Sequence, residues 1–187
     1  VVTGQVGLDK KAFLDKVARI AREQGYDLTM CNVGDMMYAE APDVAPGRIL
    51  DLPLTRLNSL RRSVFKDIIA TCGHKANVLI NTHATFRWRH GLFYAFDHDQ
   101  MQAIDADLFV CLVDNVDRVH WRLCRDGHVD HSLKDLMVWR EEEILATELL
   151  SGIIAGHGKF YIMARGLDPE GYEIGRASCR ERVCHRV

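Results

Sequence analysis

The sequence predicts one three-layer α/β domain, with a mostly parallel sheet of about five strands and helices on both faces. Short apolar runs, typical of strands buried on both faces, alternate along the chain with longer segments of helical periodicity. A glycine loop joins the first strand to the first helix. This alternation favours crossover connections between parallel strands, and 187 residues suit a single domain.

The elements follow in order along the chain. Strands are predicted where apolar runs are short, at residues 1–3, 26–32, 77–80, 108–113 and 160–164. Helices are predicted where apolar residues recur at three- and four-residue spacing, at residues 10–24, 36–40, 54–71, 98–104, 116–124 and 133–154. The segment 84–96 is aromatic and basic, and we expect a loop there.

Composition excludes several classes of function. Apolar residues make up 48% of the chain and the net charge is −2. No apolar run is long enough for a membrane span, so a membrane partner is not expected. The lack of a basic excess argues against nucleic acid as a partner. Cysteines outside the tail are widely spaced, which predicts reduced thiols in a cytoplasmic protein; they are Cys31, Cys72, Cys111 and Cys124.

The two ends of the sequence differ from the rest. The chain starts at Val1, close to a motif, and we expect its first strand to be truncated. Residues 174–187 lack periodicity, carry four arginines and resemble a translated sequencing adaptor, with a natural basic tail as the alternative. The predicted domain therefore covers residues 1–173.

The loop from Gly4 to Lys11 has the context of a phosphate-binding loop. Such a loop needs glycines, a following helix whose N-terminus faces the anion, and a lysine for the β- and γ-phosphates. Gly4 and Lys10 fit this pattern, whereas Asp9 replaces the glycine before the lysine and Lys11 replaces the Mg²⁺-binding hydroxyl. The Asp9 carboxylate should repel phosphate, and its side chain disfavours a positive φ. An ordinary glycine turn before a helix is the alternative.

Two later segments add a family resemblance. They are Asn32-Val33-Gly34-Asp35-Met36-Met37 and Val78-Leu79-Ile80-Asn81-Thr82-His83-Ala84-Thr85. Together with the loop they resemble, in order and spacing, the archaeal type of adenylate kinase, which carries G-x-P-G-x-G-K-T, N-x-G-D-x-M and D-T-H-A-T segments. The resemblance spans roughly residues 1–164 and is weaker after residue 113.

The resemblance implies a P-loop kinase that transfers a phosphoryl group from ATP to a nucleoside monophosphate. It implies that donor phosphates are held by Gly4, Gly7 and Lys10, with Lys11 beside them. It implies that the acceptor nucleotide is bordered by Asn32, Gly34 and Asp35, and that Thr82 and His83 lie at the ligand-binding edge of the sheet. Charge on the transferring group would be stabilised by lid-region arginines, among them Arg118, Arg122 and Arg125.

The departures from the family concern the metal. ATP is the implied cofactor, and Mg²⁺ accompanies it in the family. Both positions that would organise Mg²⁺ are replaced here, the hydroxyl by Lys11 and the aspartate of D-T-H-A-T by Asn81. We therefore name no metal ligand. The departures favour a second hypothesis, a catalytically impaired nucleotide-binding regulatory module. The kinase is favoured by the residues that are retained, namely Lys10, Asn32, Gly34, Asp35 and the lid-region arginines.

Other candidate sites have ordinary alternatives. The stretch from Asp126 to His131 could hold a metal, but a solvated lid loop is the preferred interpretation. Residues 86–90 interleave aromatic and cationic side chains that could stack a base, and a loop bordering the nucleotide pocket is preferred. His83 is a candidate general base or a structural histidine. Residues 141–143, three consecutive glutamates, are predicted to form a solvated helix face. The oligomeric state stays open.

Overall fold

Five parallel strands form the central sheet, as the sequence predicts. The computed structural model describes residues 1–88, 91–165 and 184–186. The strands described there are β1 (Val2–Thr3), β2 (Thr29–Asn32), β3 (Val78–Asn81), β4 (Thr85–Trp88), β5 (Gly91–Tyr94), β6 (Phe109–Val113), β7 (Phe160–Ala164) and β8 (Cys184–Arg186). The order in the main sheet is β2-β3-β1-β6-β7-β8, in which β8 alone pairs antiparallel, with β7.

Six helices cover the sheet within these residues, and the predicted α/β architecture is confirmed. They are α1 (Lys10–Glu23), α2 (Val33–Glu40), α3 (Leu54–Cys72), α4 (His98–Ile104), α5 (Val116–Arg125) and α6 (Leu133–Ile154). A short 3₁₀ turn, Ile49–Asp51, precedes α3. Helix α3 shows why the periodicity predicted it: Leu57, Val64, Phe65 and Ile68 lie on one face of the helix and are all buried.

The strand order determines which edge of the sheet is suited to binding a ligand. Strand β1 lies between β3 and β6. The chain first crosses from β1 to β2 on one side of β1, and it later crosses from the β3 side to β6 on the other side. The carboxyl ends of β2 and β3 are in register, because Asn32 pairs with Asn81. Open α/β sheets bind ligands where such a reversal occurs, beyond the carboxyl ends of the strands. The loop after β1 and the segments after β2 and β3 therefore share this edge.

The loop predicted for residues 84–96 is wrong. Its described part forms an antiparallel hairpin of β4 and β5, with Thr85 paired to Tyr94 and Trp88 to Gly91. Aromatic residues, here Phe86, Trp88, Phe93 and Tyr94, are favoured in strands. The interspersed arginines and histidine of the segment concealed this pattern, because they suggested a solvated loop. Residues 89–90 lie outside the described part of the chain.

The boundaries of α2 also differ from the prediction. The helix begins at Val33 rather than at Met36, so β2 passes into α2 without an intervening loop. The sequence concealed this start because Gly34 is a poor helix former. One consequence is that Gly34 and Asp35 belong to the first turn of a helix at the edge of the sheet.

The expected tail falls mostly outside the described residues. Residues 184–186 form β8, whereas residues 166–183 and 187 are not described, so the domain boundary at residue 173 stays a prediction. No helix in the described ranges has the length and apolar character that crossing a membrane requires. The four cysteines outside the tail are free thiols: Cys31 and Cys111 are buried, while Cys72 and Cys124 are half-buried.

Candidate functional site

The loop between β1 and α1 is built around two glycines with positive φ. Gly4 has φ 140° and Gly7 has φ 85°. A Cβ atom at Gly4 would lie 2.5 Å from Leu8 Cδ1 and 2.6 Å from the Leu112 carbonyl oxygen. No side chain fits at such distances, so the fold requires glycine at this position. The loop thereby wraps closely over the end of β6 and leads into the N-terminus of α1.

Asp9 takes the conformation that the sequence analysis regarded as disfavoured. It precedes α1 with φ 53° and ψ 44°, which is left-handed. Aspartate is one of the few non-glycine residues that tolerate this region. The loop therefore keeps a turn suited to glycine while adding a carboxylate at the N-terminus of α1, where the aspartate makes no side-chain capping bond.

Lys10 lies buried beneath the loop. Its Nζ donates a hydrogen bond of 2.6 Å to the Gly4 carbonyl oxygen and lies 3.1 Å from Nδ1 of His83. Burial lowers the pKa of Lys10 to about 8, against the opposing effect of the Glu143 charge. The lysine thus reaches from the loop to the segment after β3, and its charge is sensitive to pH.

His83 is held in its neutral form. Burial is the largest cause that lowers its pKa well below the usual range, and the Lys10 charge adds to it. Its ring also packs against Phe86, with 4.8 Å between ring centroids. A neutral imidazole beside an ammonium can accept a hydrogen bond from it, so the geometry suits positioning of Lys10.

Glu143 joins the loop to the segment after β3. Its Oε1 accepts hydrogen bonds from the backbone N–H groups of Gly4 (2.9 Å) and Ala84 (2.8 Å). Its Oε2 accepts from the N–H and the hydroxyl of Thr85, both at 2.7 Å. The residue is only 1% exposed. One buried carboxylate therefore holds two parts of the site together.

The prediction of a solvated face for residues 141–143 is wrong at Glu143. This residue lies on the inward face of α6 with other buried residues, namely Leu136, Trp139, Thr147 and Leu150. The three- and four-residue spacing of these positions was readable in the sequence. The run of three glutamates concealed it, because such runs are usually exposed.

Arginines in α5 and directly after β7 contact the loop. Arg122 of α5 donates to the Gly7 carbonyl oxygen (3.2 Å) and to Asp114 Oδ2 (2.8 Å). Arg165, which the sequence analysis did not single out, donates to the Leu8 carbonyl oxygen. Arg125 instead pairs with Asp126 at 2.7 Å and lies over the Trp121 ring. Arg122, one of the three arginines that the resemblance assigns to the lid, thus contacts the loop.

A cavity of about 170 Å³ opens beside the loop. Its lining includes residues from the segments after β1, β2 and β3, namely Val6, Gly34, Thr82 and His83. Aromatic side chains of the β4–β5 hairpin, among them Phe86 and Trp88, line another part. The structure therefore brings Gly34, Thr82 and His83 to one cavity, as expected for segments that end at one sheet edge.

Arg61 is a cationic lining residue that sequence reasoning did not align with any motif. It is 5% exposed, and its Nη1 donates to Asn58 Oδ1 and to the Tyr94 carbonyl oxygen. Within the described ranges its buried Nη2 has no hydrogen-bond partner. Burial lowers its pKa to about 10, so the guanidinium stays charged at neutral pH. A buried cation with a spare donor at a cavity is suited to an anionic ligand.

The positions that organise Mg²⁺ in the resembling family do not fit that ion here. Lys11 forms an ion pair with Asp35 Oδ2 at 2.6 Å. Asn81 donates its amide N–H to Asn32 Oδ1 at 2.9 Å. Mg²⁺ prefers oxygen ligands, several of them anionic or water. An ammonium and a neutral amide in these places provide neither the hydroxyl nor the carboxylate.

The polar stretch from Asp126 to His131 packs on an aromatic side chain. The rings of His128 and His131 lie 4.9 Å and 5.0 Å from the Trp88 ring. No cluster of three or more His, Cys, Asp or Glu side chains suited to a metal ion occurs among residues 1–88 and 91–165. The stretch therefore contacts the hairpin beside the cavity.

Comparison with known proteins gives one family. A family model described as an AAA domain matches residues 3–140, which include the loop, the cavity and Arg122. No curated protein matches the chain.

Proposed function

Because the chain belongs to the AAA domain family and has a nucleotide-binding P-loop kinase-like domain, we propose that it transfers a phosphoryl group from ATP to a nucleoside monophosphate. The observation that carries the proposal is the contact between Lys10 and His83. Lys10 belongs to the loop expected to bind the donor, and His83 lines the adjacent cavity. A donor group and an acceptor cavity thus meet at one point.

The donor side combines three sources of positive potential. Backbone N–H groups of the loop and the N-terminus of α1 favour an anion. Lys10 adds a charge beneath the loop, and Arg122 adds another where it contacts the Gly7 carbonyl oxygen. Phosphoryl transfer depends mainly on positioning and charge stabilisation, which such groups supply.

The acceptor side has features that suit a monophosphate nucleotide. The buried Arg61 guanidinium has an N–H group free for an anion among the described contacts. Phe86 and Trp88 line the same cavity and offer aromatic faces for a base. The rest of the cavity lining is mostly apolar, which suits the base of a nucleotide.

A regulatory module that binds nucleotide without transfer is the second candidate. It is favoured by three side chains, Asp9, Lys11 and Asn81, that depart from the kinase pattern. These changes leave the loop's shape intact, because Asp9 keeps the left-handed conformation. A protein that retains the loop but has lost the metal ligands would bind nucleotide and release it unchanged.

A transfer assay separates the two candidates. The full chain is incubated with γ-labelled ATP and each of the common nucleoside monophosphates, and labelled diphosphate is measured. We expect label transfer to one acceptor. We also expect Arg122→Lys to slow it roughly tenfold, because lysine cannot form the planar paired bonds of arginine. Arg19→Lys, on the exposed face of α1, is the matched control. Binding of ATP without labelled diphosphate for any acceptor would support the regulatory module.

Asp9 should weaken ATP binding through its charge. We expect Asp9→Asn to raise ATP affinity by roughly 3- to 10-fold, because it removes a carboxylate near the phosphates while asparagine tolerates the same φ. Isothermal titration calorimetry measures this change. Asp9→Gly is the matched comparison: if charge is the cause, both variants should gain similarly. A gain confined to Asp9→Gly would assign the effect to backbone conformation instead.

A further inference from the structure

A cation stands in the sequence position where the resembling kinases carry a metal-binding hydroxyl. Lys11 occupies the second position of α1, directly after the loop lysine, and its ammonium reaches Asp35 in the first turn of α2. The ion pair therefore bridges the start of the donor helix and the start of the acceptor-side helix. The ammonium therefore lies between the two halves of the proposed site, paired with a carboxylate.

This ion pair is exposed and replaceable. The side chains of Lys11 and Asp35 are each 55% exposed, and pairs of that kind contribute little to stability. The hydrogen bond with Asp35 raises the pKa of Lys11, so the amine stays protonated over the physiological range. An ammonium has three N–H donors, and Asp35 takes one of them. The lysine can therefore turn toward a phosphate without losing a strong interaction.

Asn81, near the same site, also replaces a metal ligand of the resembling family with a group that does not attract a metal. Asn81 ends β3 at the position of the family's carboxylate, and its Oδ1 is a buried acceptor without a hydrogen-bond partner in the described part of the chain. A carboxylate here would attract a metal, whereas a neutral amide adds no charge. With these two replacements, the place of a divalent metal ion in the family is taken by the Lys11 ammonium, and the family's carboxylate is replaced by the neutral amide of Asn81.

We propose that the Lys11 ammonium supplies the charge that Mg²⁺ supplies in ordinary P-loop kinases, so that the site binds the free ATP anion without a metal. This inference rests on the proposed nucleotide site. It predicts that ATP affinity is the same, within about threefold, in EDTA and in excess Mg²⁺. It also predicts that the metal dependence returns when the family's ligands are restored.

Calorimetry on the full chain tests the inference, with ATP titrated in EDTA and in excess Mg²⁺. In EDTA we expect Lys11→Thr and Lys11→Thr/Asn81→Asp to bind ATP roughly tenfold more weakly than the unchanged protein. Excess Mg²⁺ should restore affinity in the double variant. Lys11→Arg keeps the charge and should bind as the unchanged protein does. Lys75→Thr is the matched control, because Lys75 is exposed and lies in the turn before β3, at the opposite edge of the sheet.

The outcomes separate this inference from the proposed function. ATP binding by the unchanged protein that requires Mg²⁺ would overturn the inference and leave the nucleotide site intact. Equal binding in EDTA by Lys11→Thr and Lys11→Arg would also overturn it. Absence of ATP binding under both conditions would overturn the proposed function itself. Urea unfolding of each variant confirms that the compared proteins are folded.

Discussion

Glu143→Gln is expected to destabilise the domain by about 3 kcal/mol, since a glutamine cannot replace the acceptors of a buried carboxylate. Four donors converge on the two oxygens of Glu143, three of them backbone N–H groups. Glutamine keeps one oxygen and presents an NH₂ group in place of the other. At least one backbone N–H group would then face a donor in the protein interior, with no water to replace the lost bond.

The measurement is urea unfolding of the full chain, followed by circular dichroism. Glu141→Gln is the matched control, because Glu141 is exposed on the same helix and pairs only at the surface with Arg140. We expect little change for this control. Equal stabilities of the two variants would contradict the role of Glu143. Hydrogen exchange adds a local readout: the amides of Gly4, Ala84 and Thr85 should lose protection first in Glu143→Gln.

The position of Glu143 shows what sequence could and could not establish about this site. The loop glycines, Lys10, Gly34, Thr82 and His83 were identifiable because each belongs to a short motif at the end of a predicted strand. The structure brings them together, since parallel strands end at one edge. Glu143 is about 140 residues from Gly4 and carries no motif, so its pairing with the loop depends on how α6 packs, which periodicity alone does not determine.

The incorrect prediction of a loop at residues 84–96 has the same physical origin, because Arg87 and the neighbouring basic residues are typical of a solvated segment. In the structure Arg87 pairs with Glu142 on α6, so its charge is compensated by a residue distant in sequence. Arg61 lies on the buried face of α3 beside the cavity, although charged residues are usually exposed. Local composition thus misplaces charged residues whose partners or ligands are remote.

The conformation of Asp9 shows that a residue can depart from a motif while the backbone keeps the conformation that the motif requires. A motif match at this position fails on residue type, yet the backbone takes the left-handed conformation that a glycine would take. Loop shape here is determined by Gly4, Gly7 and the contacts of Arg122 and Arg165 with loop carbonyls. A departure from the motif therefore changes the charge at the site more than its shape, which is why charge-altering substitutions are the informative ones.

Lys10→Met is expected to weaken ATP binding by about 100-fold while leaving the domain at least as stable. The ammonium is a buried positive charge in direct contact with the loop, and a charge-assisted bond to phosphate contributes about 1.5–3 kcal/mol. Methionine has a similar length and avoids the desolvation cost of the buried amine. Calorimetry measures the affinity, and urea unfolding measures the stability. Normal ATP affinity in Lys10→Met would exclude Lys10 from the donor site.

The pH dependence of ATP affinity tests the same role of Lys10 without a substitution. Because the pKa of Lys10 is lowered to about 8, Lys10 loses its charge above that pH in the unliganded protein, and its amine must then take up a proton when ATP binds. Affinity should fall about tenfold per pH unit above pH 8, and Lys10→Arg should remove this dependence because arginine stays charged. The free energy of unfolding should change with pH in the opposite direction to the ATP affinity. The unfolded chain keeps this proton up to its ordinary pKa of 10.5, so stability should rise between pH 8 and 10.5 in the unchanged protein and not in Lys10→Met. An ATP affinity that is constant from pH 7 to 9.5 would contradict the assignment of Lys10 as the phosphate-binding cation.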